Sequence, residues 1–315
     1  MALKKQQDIS GNDLGFGNKA TVNNQRIMNR DGSSNIKRIG LPFLRTTDTY
    51  NWLIKMSWAQ FGLLVLMGYI IINMLFASLY IWIGIEYIEG SQGKTPTERF
   101  LDAFFFSAQT ISTVGYGHLS PVGLRTSFLA AFESMLGLLA FALATGLLYG
   151  RFSRPSAKIK YSDNMIVAPY MGGKGLMFRL ANYRNNQLID IEVQVVLSIN
   201  EMVGDKIIRK FYTLILERSK INMLTLSWTV VHPLDNKSPL WELEPLDLDK
   251  GDAEMLILIK AFDDTFSQTV HSRTSYQYEE IIWDARFKPV IEPNEDGIMT
   301  LNMAGLSDYE KLDAN

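Results

Sequence analysis

Two long apolar runs interrupt an otherwise mixed chain. One extends from Ala59 to Ile83 without a charged residue, and the other from Thr126 to Gly150 with a single acid, Glu133. Each holds about 25 residues, enough for an α-helix to cross a hydrocarbon layer with some tilt. Tyr80 and Trp82 close the first run as interfacial aromatics. Helices buried in soluble cores are shorter and more amphipathic, so a buried hairpin is the poorer reading. Before the first run, Thr46 to Ser57 sets Tyr50, Trp52, Leu53, Ile54 and Met56 against Lys55, with Asp48 available as a cap. That pattern predicts an interfacial helix; the alternative is the start of the first span. Between the runs, Thr95-Pro96-Thr97-Glu98 reads as a capping box with Pro in the first turn. It predicts a helix through Arg99 to about Ser112, too short to span and therefore re-entrant.

Past Pro155 the period changes to two. Ile189, Ile191, Val193 and Val195 alternate with Asp190, Glu192 and Gln194. Further strand-like runs are 176–181, 207–216, 224–231, 254–261, 280–283 and 299–303, separated by turn residues such as Gly172-Gly173, Asn185-Asn186 and Gly204-Asp205. Many short strands without helical patterns between them predict a β-sandwich. The expected fold class is an α+β membrane protein: two transmembrane helices with a re-entrant pore helix, followed by a β-sandwich domain. The expected divisions are an N-terminal arm (1–45), an interfacial helix (46–57), a transmembrane unit (58–150), a linker (151–160), a β domain (161–303) and a tail (304–315).

Composition narrows the functions. With 31 Lys and Arg against 33 Asp and Glu, the net charge of −2 gives no reason to expect nucleic acid. The chain has no Cys, which removes disulfides, thiolate nucleophiles and cysteine metal sites. Its 3 His are His118, His232 and His271, so a His-rich metal site is not expected. No basic segment followed by a short apolar core opens the chain, and no cleaved signal is expected. Neither a Gly-x-Gly-x-x-Gly after a strand nor a nucleophile–base arrangement is found, so no cofactor and no enzyme activity are expected. Lys37, Arg38, Arg45 and Lys55 precede the first span and Arg151, Arg154, Lys158 and Lys160 follow the second, whereas only Lys94, Arg99 and Arg125 lie between. The positive-inside rule puts both termini in the cytoplasm.

The loop after the re-entrant helix carries the chemistry. Thr113-Val114-Gly115-Tyr116-Gly117 matches the five-residue loop whose backbone carbonyls, stacked in rings, replace the hydration shell of K+. Gly115 and Gly117 can take positive φ, which lets successive carbonyls point one way. Thr113 adds a hydroxyl, and Val114 and Tyr116 are left to pack outward. Potassium, the permeant ion, would be held at Thr113, Val114, Gly115 and Tyr116. One two-span chain cannot enclose such a path, so a homotetramer follows. A membrane-anchored β-sandwich that conducts nothing and a membrane enzyme are the competing classes.

Several further segments resemble the inward-rectifier potassium channel family. They are the run from Ser227-Trp228-Thr229-Val230-Val231-His232 through Pro233-Leu234-Asp235-Asn236-Lys237-Ser238-Pro239-Leu240, Arg30-Asp31-Gly32-Ser33-Ser34-Asn35-Ile36, Ser272-Arg273-Thr274-Ser275-Tyr276, and Glu280-Ile281-Ile282-Trp283. Leu148-Tyr149-Gly150-Arg151-Phe152-Ser153-Arg154-Pro155 resembles the prokaryotic branch. The resemblance covers about Arg26 to Leu301. It implies an immunoglobulin-like cytoplasmic domain that prolongs the pore, a bacterial inner-membrane location, and a gate where the inner helices converge. Phe141 and Tyr149 fall at the narrow end, and helical spacing puts Ser134, Phe141, Thr145 and Leu148 on nearly one stripe. It also implies a loop through Phe266, Ser267, Gln268, Thr269, Val270 and His271 that narrows the cytoplasmic pore; for His271 an ordinary loop position stays open. His232 is expected to be structural. Arg151, Arg154 and Lys158 are candidate contacts for anionic lipid head groups, although a plain juxtamembrane charge flank would look alike.

The departures are informative. The cysteine pair and the acid–Arg pair of eukaryotic members are absent, the latter replaced by Gln109 and Leu119, and their Pro-Lys-Lys becomes Pro155-Ser156-Ala157. At the inner-helix position where strong rectifiers carry an acid that recruits Mg2+ and polyamines, the chain has Phe141, so block by these cations is expected to be weak. Glu133 is the intramembrane acid. Two readings stay open for it: an acid that pairs with the pore loop of its own or a neighbouring subunit, with Gln109 a possible partner, or a neutral hydrogen-bonded structural group.

Overall fold

A computed structural model of the chain describes residues 26–36, 46–153, 157–294 and 296–312. Lys37, Arg38, Arg45, Arg154, Pro155, Ser156 and the side chain of Asp48 lie outside the described residues. The chain divides into two compact units, one of residues 40–154 and one of residues 1–39 with 155–315.

The first unit contains α1 (Thr46–Lys55), α2 (Trp58–Ile83), β1 (Ile88–Glu89), α3 (Pro96–Ile111), β2 (Ser120–Pro121) and α4 (Leu124–Phe152). α2 and α4 are long and apolar enough to cross a membrane. The interfacial helix ends at Lys55, two residues earlier than expected, because Ser57 serves α2 instead. Its hydroxyl accepts the Gln60 N–H while the Gln60 side chain accepts the Ser57 N–H, a reciprocal cap that starts a new helix. α3 begins as its sequence predicts, with Thr95 and Glu98 forming the capping box around Pro96. Phe76, Ala77 and Tyr80 of α2 pack on Ala103 and Phe106 of α3 and on Ala130 of α4. Tyr80 and Phe106 meet edge-on, with ring centroids 4.9 Å apart.

The second unit is the sandwich. Its strands are β3 (Ile159–Tyr161), β4 (Met165–Tyr170), β5 (Gly173–Asn182), β6 (Leu188–Val203), β7 (Lys206–Thr213), β8 (Lys220–Met223) and β9 (Ser227–Leu234), then, after the short α5 (Pro245–Lys250), β10 (Glu254–Asp263), β11 (Gln268–Gln277) and β12 (Ile281–Trp283). One sheet runs β11-β10-β6-β7 with β8 also on β6, and the other β12-β4-β5-β3 with β9 also on β5. Alternating apolar residues of both sheets, including Phe178, Leu197, Met255, Ile257 and Tyr276, form the core between them. Two small pairs, β13 (Ala285–Phe287) with β16 (Tyr309–Lys311) and β14 (Ile291–Pro293) with β15 (Met299–Leu301), complete the unit.

Residues 26–36 fasten onto this sandwich. Both carboxylate oxygens of buried Glu254 accept backbone N–H groups, from Ile27 at 2.9 Å and Met28 at 3.2 Å. Ser275 donates to the Met28 carbonyl and Thr274 to that of Arg30. Glu280 pairs with Arg26 and, at 3.0 Å, with Arg30. Gly32 is required by the fit: its φ is +79° and a Cβ there would lie 2.6 Å from the Arg273 carbonyl oxygen.

Candidate functional site

α3 is held at both ends. At its start, the Asp102 carboxylate accepts the N–H groups of Gln92 and Gly93 and the Ser91 hydroxyl at 2.9–3.0 Å, which folds the preceding loop back on the helix. At its end, Ser134 of α4 donates to the Thr110 carbonyl at 3.3 Å. Those last carbonyls carry the partial negative charge of the helix terminus, a favourable surrounding for a cation.

Thr113 to Gly117 follow directly. φ is +58° at Thr113, +53° at Gly115 and +79° at Gly117, with Val114 and Tyr116 between them on the ordinary side. This alternation is the conformation that turns successive carbonyls to one side. For Thr113 it is strained, because a β-branched residue rarely occupies the left-handed region. Three N–H groups are bound to one residue: Val114 and Gly115 donate to the Gln109 carbonyl at 2.9 and 3.3 Å, and Tyr116 donates to Gln109 Oε1 at 3.1 Å. Gln109 Nε2 reaches back to the Leu119 carbonyl at 3.5 Å. A single amide therefore bridges the two positions where eukaryotic relatives are expected to carry the acid–Arg pair. Among the described residues no donor is bound to the carbonyls of Thr113, Val114, Gly115 or Tyr116. A row of carbonyls without donors fits a dehydrated cation. A Cβ at Gly115 would meet nothing within 4 Å in its own chain, so the constraint there is the backbone angle rather than a clash.

Glu133 is fully buried, and its partners differ from the expected one. It contacts Ser107 of α3 and receives the Tyr80 hydroxyl at 2.6 Å; Gln109 is engaged with the loop. Phe141 and Tyr149 of α4 are each 74% exposed on the single chain. Thr145 is exposed too, with its hydroxyl donating to the Phe141 carbonyl at 2.9 Å.

Of the basic residues after the second span, Arg151 is already employed. Its guanidinium donates to the carbonyls of Leu53, Ile54 and Met56 at 2.6, 3.2 and 2.8 Å and lies 4.6 and 4.7 Å from the ring centres of Trp58 and Phe61. It caps the carbonyl end of α1, where a cation is favoured and three acceptors would otherwise lack donors. Lys158 is exposed, and Arg154 lies outside the described residues.

The expected loop 266–271 is largely a strand. Gln268, Thr269, Val270 and His271 belong to β11, paired in register with Asp263, Phe262, Ala261 and Lys260, and only Phe266 and Ser267 are in the turn. Asp263 is the reason. Its buried carboxylate accepts the Thr265 N–H at 3.0 Å and the Asn186 side chain at 2.6 Å, which closes the hairpin early. His271 is exposed on that strand. His232 is structural, as expected: buried between the Ile215 carbonyl on Nδ1 at 2.6 Å and the Ser238 hydroxyl on Nε2 at 2.7 Å.

Known proteins agree with this layout. The family model for the inward rectifier potassium channel C-terminal domain matches residues 159–314, and an ion channel model matches residues 64–154. The inward rectifier potassium channel Kirbac3.1 of Paramagnetospirillum magnetotacticum is 38% identical over 289 residues, 91% of this chain and 96% of that protein. The G protein-activated inward rectifier potassium channel 2 of Mus musculus and that of Homo sapiens are each 25% identical over 303 residues, 87% of this chain and 69% of theirs. A β-sandwich preceded by two apolar helices and a capped re-entrant helix, matched over nearly its whole length by such relatives, places the chain in the inward-rectifier potassium channel family.

Proposed function

We propose that four copies of this chain enclose a potassium-selective pore whose filter is Thr113 to Gly117. The observation that carries this reading is the alternation of positive φ along the loop, with the N–H groups of Val114, Gly115 and Tyr116 bound to Gln109 and the carbonyls of Thr113 to Tyr116 left without donors among the described residues. Such a loop gives one side of a carbonyl ring, and four related copies are needed to replace a hydration shell. The gate in this reading is the α4 stripe of Phe141, Thr145 and Tyr149, whose large side chains can close a path by excluding water. Both termini and the sandwich lie in the cytoplasm of a bacterial cell, with the helical unit in the inner membrane, as the basic flanks direct.

Rectification is weak in this proposal, since Phe141 offers no charge to Mg2+ or polyamines. Modulation by anionic lipid falls to Lys158 and Arg154, because the Arg151 guanidinium is engaged with the carbonyls of Leu53, Ile54 and Met56. The test is rubidium uptake into liposomes containing the purified protein. Uptake that barium blocks and that sodium does not replace is expected. Absence of uptake from a protein that runs as a folded tetramer would overturn the reading.

A further inference from the structure

The side chains of Asn73, Tyr80, Ser107 and Glu133 meet between α2, α3 and α4, and none is exposed to solvent. Their hydrogen atoms can be counted. Asn73 Nδ2 donates to the Tyr69 carbonyl at 2.7 Å. A carbonyl only accepts, so the amide is fixed in that orientation and Asn73 Oδ1 faces Ser107 Oγ at 2.9 Å. The amide oxygen also only accepts, which commits the one hydroxyl proton of Ser107 to it. The Tyr80 hydroxyl proton is committed to Glu133 Oε2 at 2.6 Å. What remains is the contact between Ser107 Oγ and Glu133 Oε1, two oxygen atoms with no proton between them if the acid is ionised. One more proton, on Glu133 Oε1, completes the set: Glu133 donates to Ser107, Ser107 to Asn73, and Asn73 to Tyr69. The surroundings agree, because among the described residues no Lys, Arg or His pairs with Glu133. A buried charge without a counter-charge is strongly disfavoured, whereas a neutral acid satisfied on both oxygens is not.

We infer that Glu133 stands in this site as a neutral carboxylic acid and is a positioning residue for the filter. Its link runs through Ser107, which lies on α3 two residues before Gln109, the residue that binds the N–H groups of Val114, Gly115 and Tyr116. The chain of hydrogen bonds ties α3 to α2 on one side and to α4 on the other. Glu133 therefore contributes orientation and no charge to the permeating ion. The positioning role rests on the proposed pore; the protonation state does not.

The test uses the full-length protein in liposomes, read by infrared difference spectroscopy and by rubidium uptake. Glu133→Gln should remove one protonated-carboxyl C=O band that shifts on 13C-glutamate labelling of the unmodified protein. Tyr80→Phe should move that same band upward, since its carbonyl loses a donor. Glu133→Gln presents an amide N–H where the acid presented O–H, so uptake should stay within about twofold, whereas Glu133→Ala and Ser107→Ala should each lower it by about tenfold or more. Loss of a carboxylate band instead of a carboxyl band in Glu133→Gln would overturn the neutral acid. Equal loss of uptake in the Gln and Ala variants, or no loss in either, would overturn the positioning role. If the unmodified protein takes up no rubidium, the pore reading fails while the infrared result still decides the proton.

Discussion

Gly137 of α4 stands directly against the carbonyl of Ile111, the last residue of α3: a Cβ at Gly137 would come within 2.0 Å of that oxygen. The inner helix can thus approach the terminus of the re-entrant helix only where it lacks a side chain. Gly137→Ala has to push the end of α3 away, at an overpacking cost of about 1–3 kcal/mol, and the loop proposed as the filter begins two residues later. We expect rubidium uptake to fall by about tenfold or more with the sandwich unfolding at an unchanged temperature. Gly68→Ala in α2, where nothing lies within 4 Å of the added carbon, is the control and should conduct normally. Equal uptake in the two variants would show that α4 can retreat without disturbing the loop.

Arg151 offers a second test, because capping and lipid binding make opposite demands on a conservative change. Lys keeps the charge and has three donors, but it lacks the planar fork that reaches the carbonyls of Leu53, Ile54 and Met56 while lying against the rings of Trp58 and Phe61. Arg151→Lys should therefore speed hydrogen exchange in the last turn of α1, equivalent to about 1–2 kcal/mol of lost protection. The dependence of uptake on anionic lipid should persist if Lys158 and Arg154 supply it. Unchanged exchange together with a lost lipid response would return Arg151 to the head groups.

His232 makes the stability of the sandwich depend on pH. Burial lowers its pKa below the usual value near 6.5, outweighing the Ile215 carbonyl and Asp235, which act in the opposite direction. Nδ1 donates to the Ile215 carbonyl, and Nε2 meets the Ser238 hydroxyl, which can donate to the neutral ring. The unfolded chain binds the proton more readily than the folded one, and stability accordingly falls as the pH drops below about 6.5 toward the lower folded pKa. Urea unfolding of the sandwich followed from about pH 8 to pH 5 should show this decline, and His232→Gln should flatten that part of it. A decline of equal steepness in the variant would assign it to carboxylates.

How much of this was legible in the sequence depends on the range of each interaction. The capping box of Thr95 and Glu98 spans three residues, and α3 was readable for that reason; the loop after it was readable from its own five residues, Thr113 to Gly117. Ser57 and Gln60 form the same device inside an apolar context, so the break between α1 and α2 was legible but its position was set two residues late. The strand β4 was missed because Pro169 sits in it. It is tolerated since the parallel pairing with β12 stops at Val167, and β4 needs no donor on that side beyond it. The polar run Ser272 to Gln277 hid the periodicity of β11. Glu254 could not be assigned at all: its partners, the N–H groups of Ile27 and Met28, are more than 220 residues away and belong to the backbone. Glu133 stood out as the acid within a span, but its partners Tyr80 and Ser107, on two other helices, leave no local signature.

The facing of α4 makes the last prediction. Glu133 and Phe141 are eight residues apart, which at about 100° per residue leaves them about 80° apart around the helix. The structure gives the two sides opposite surroundings: Glu133 has no exposure, packed on α2 and α3, and Phe141 is 74% exposed. In the proposed tetramer the Phe141 side faces the ion path and the Glu133 side faces the pore-helix packing. Spermine from the cytoplasmic side should then block weakly and with shallow voltage dependence, and Glu133→Gln should leave that block unchanged. Phe141→Asp should strengthen it, because four related carboxylates in a narrow low-dielectric cavity concentrate multivalent cations far more than they would in water. Reconstituted single-channel currents measure all three. Strong voltage-dependent block of the unmodified protein that disappears in Glu133→Gln would mean that α4 is rotated in the assembled channel and that Glu133 lines the cavity.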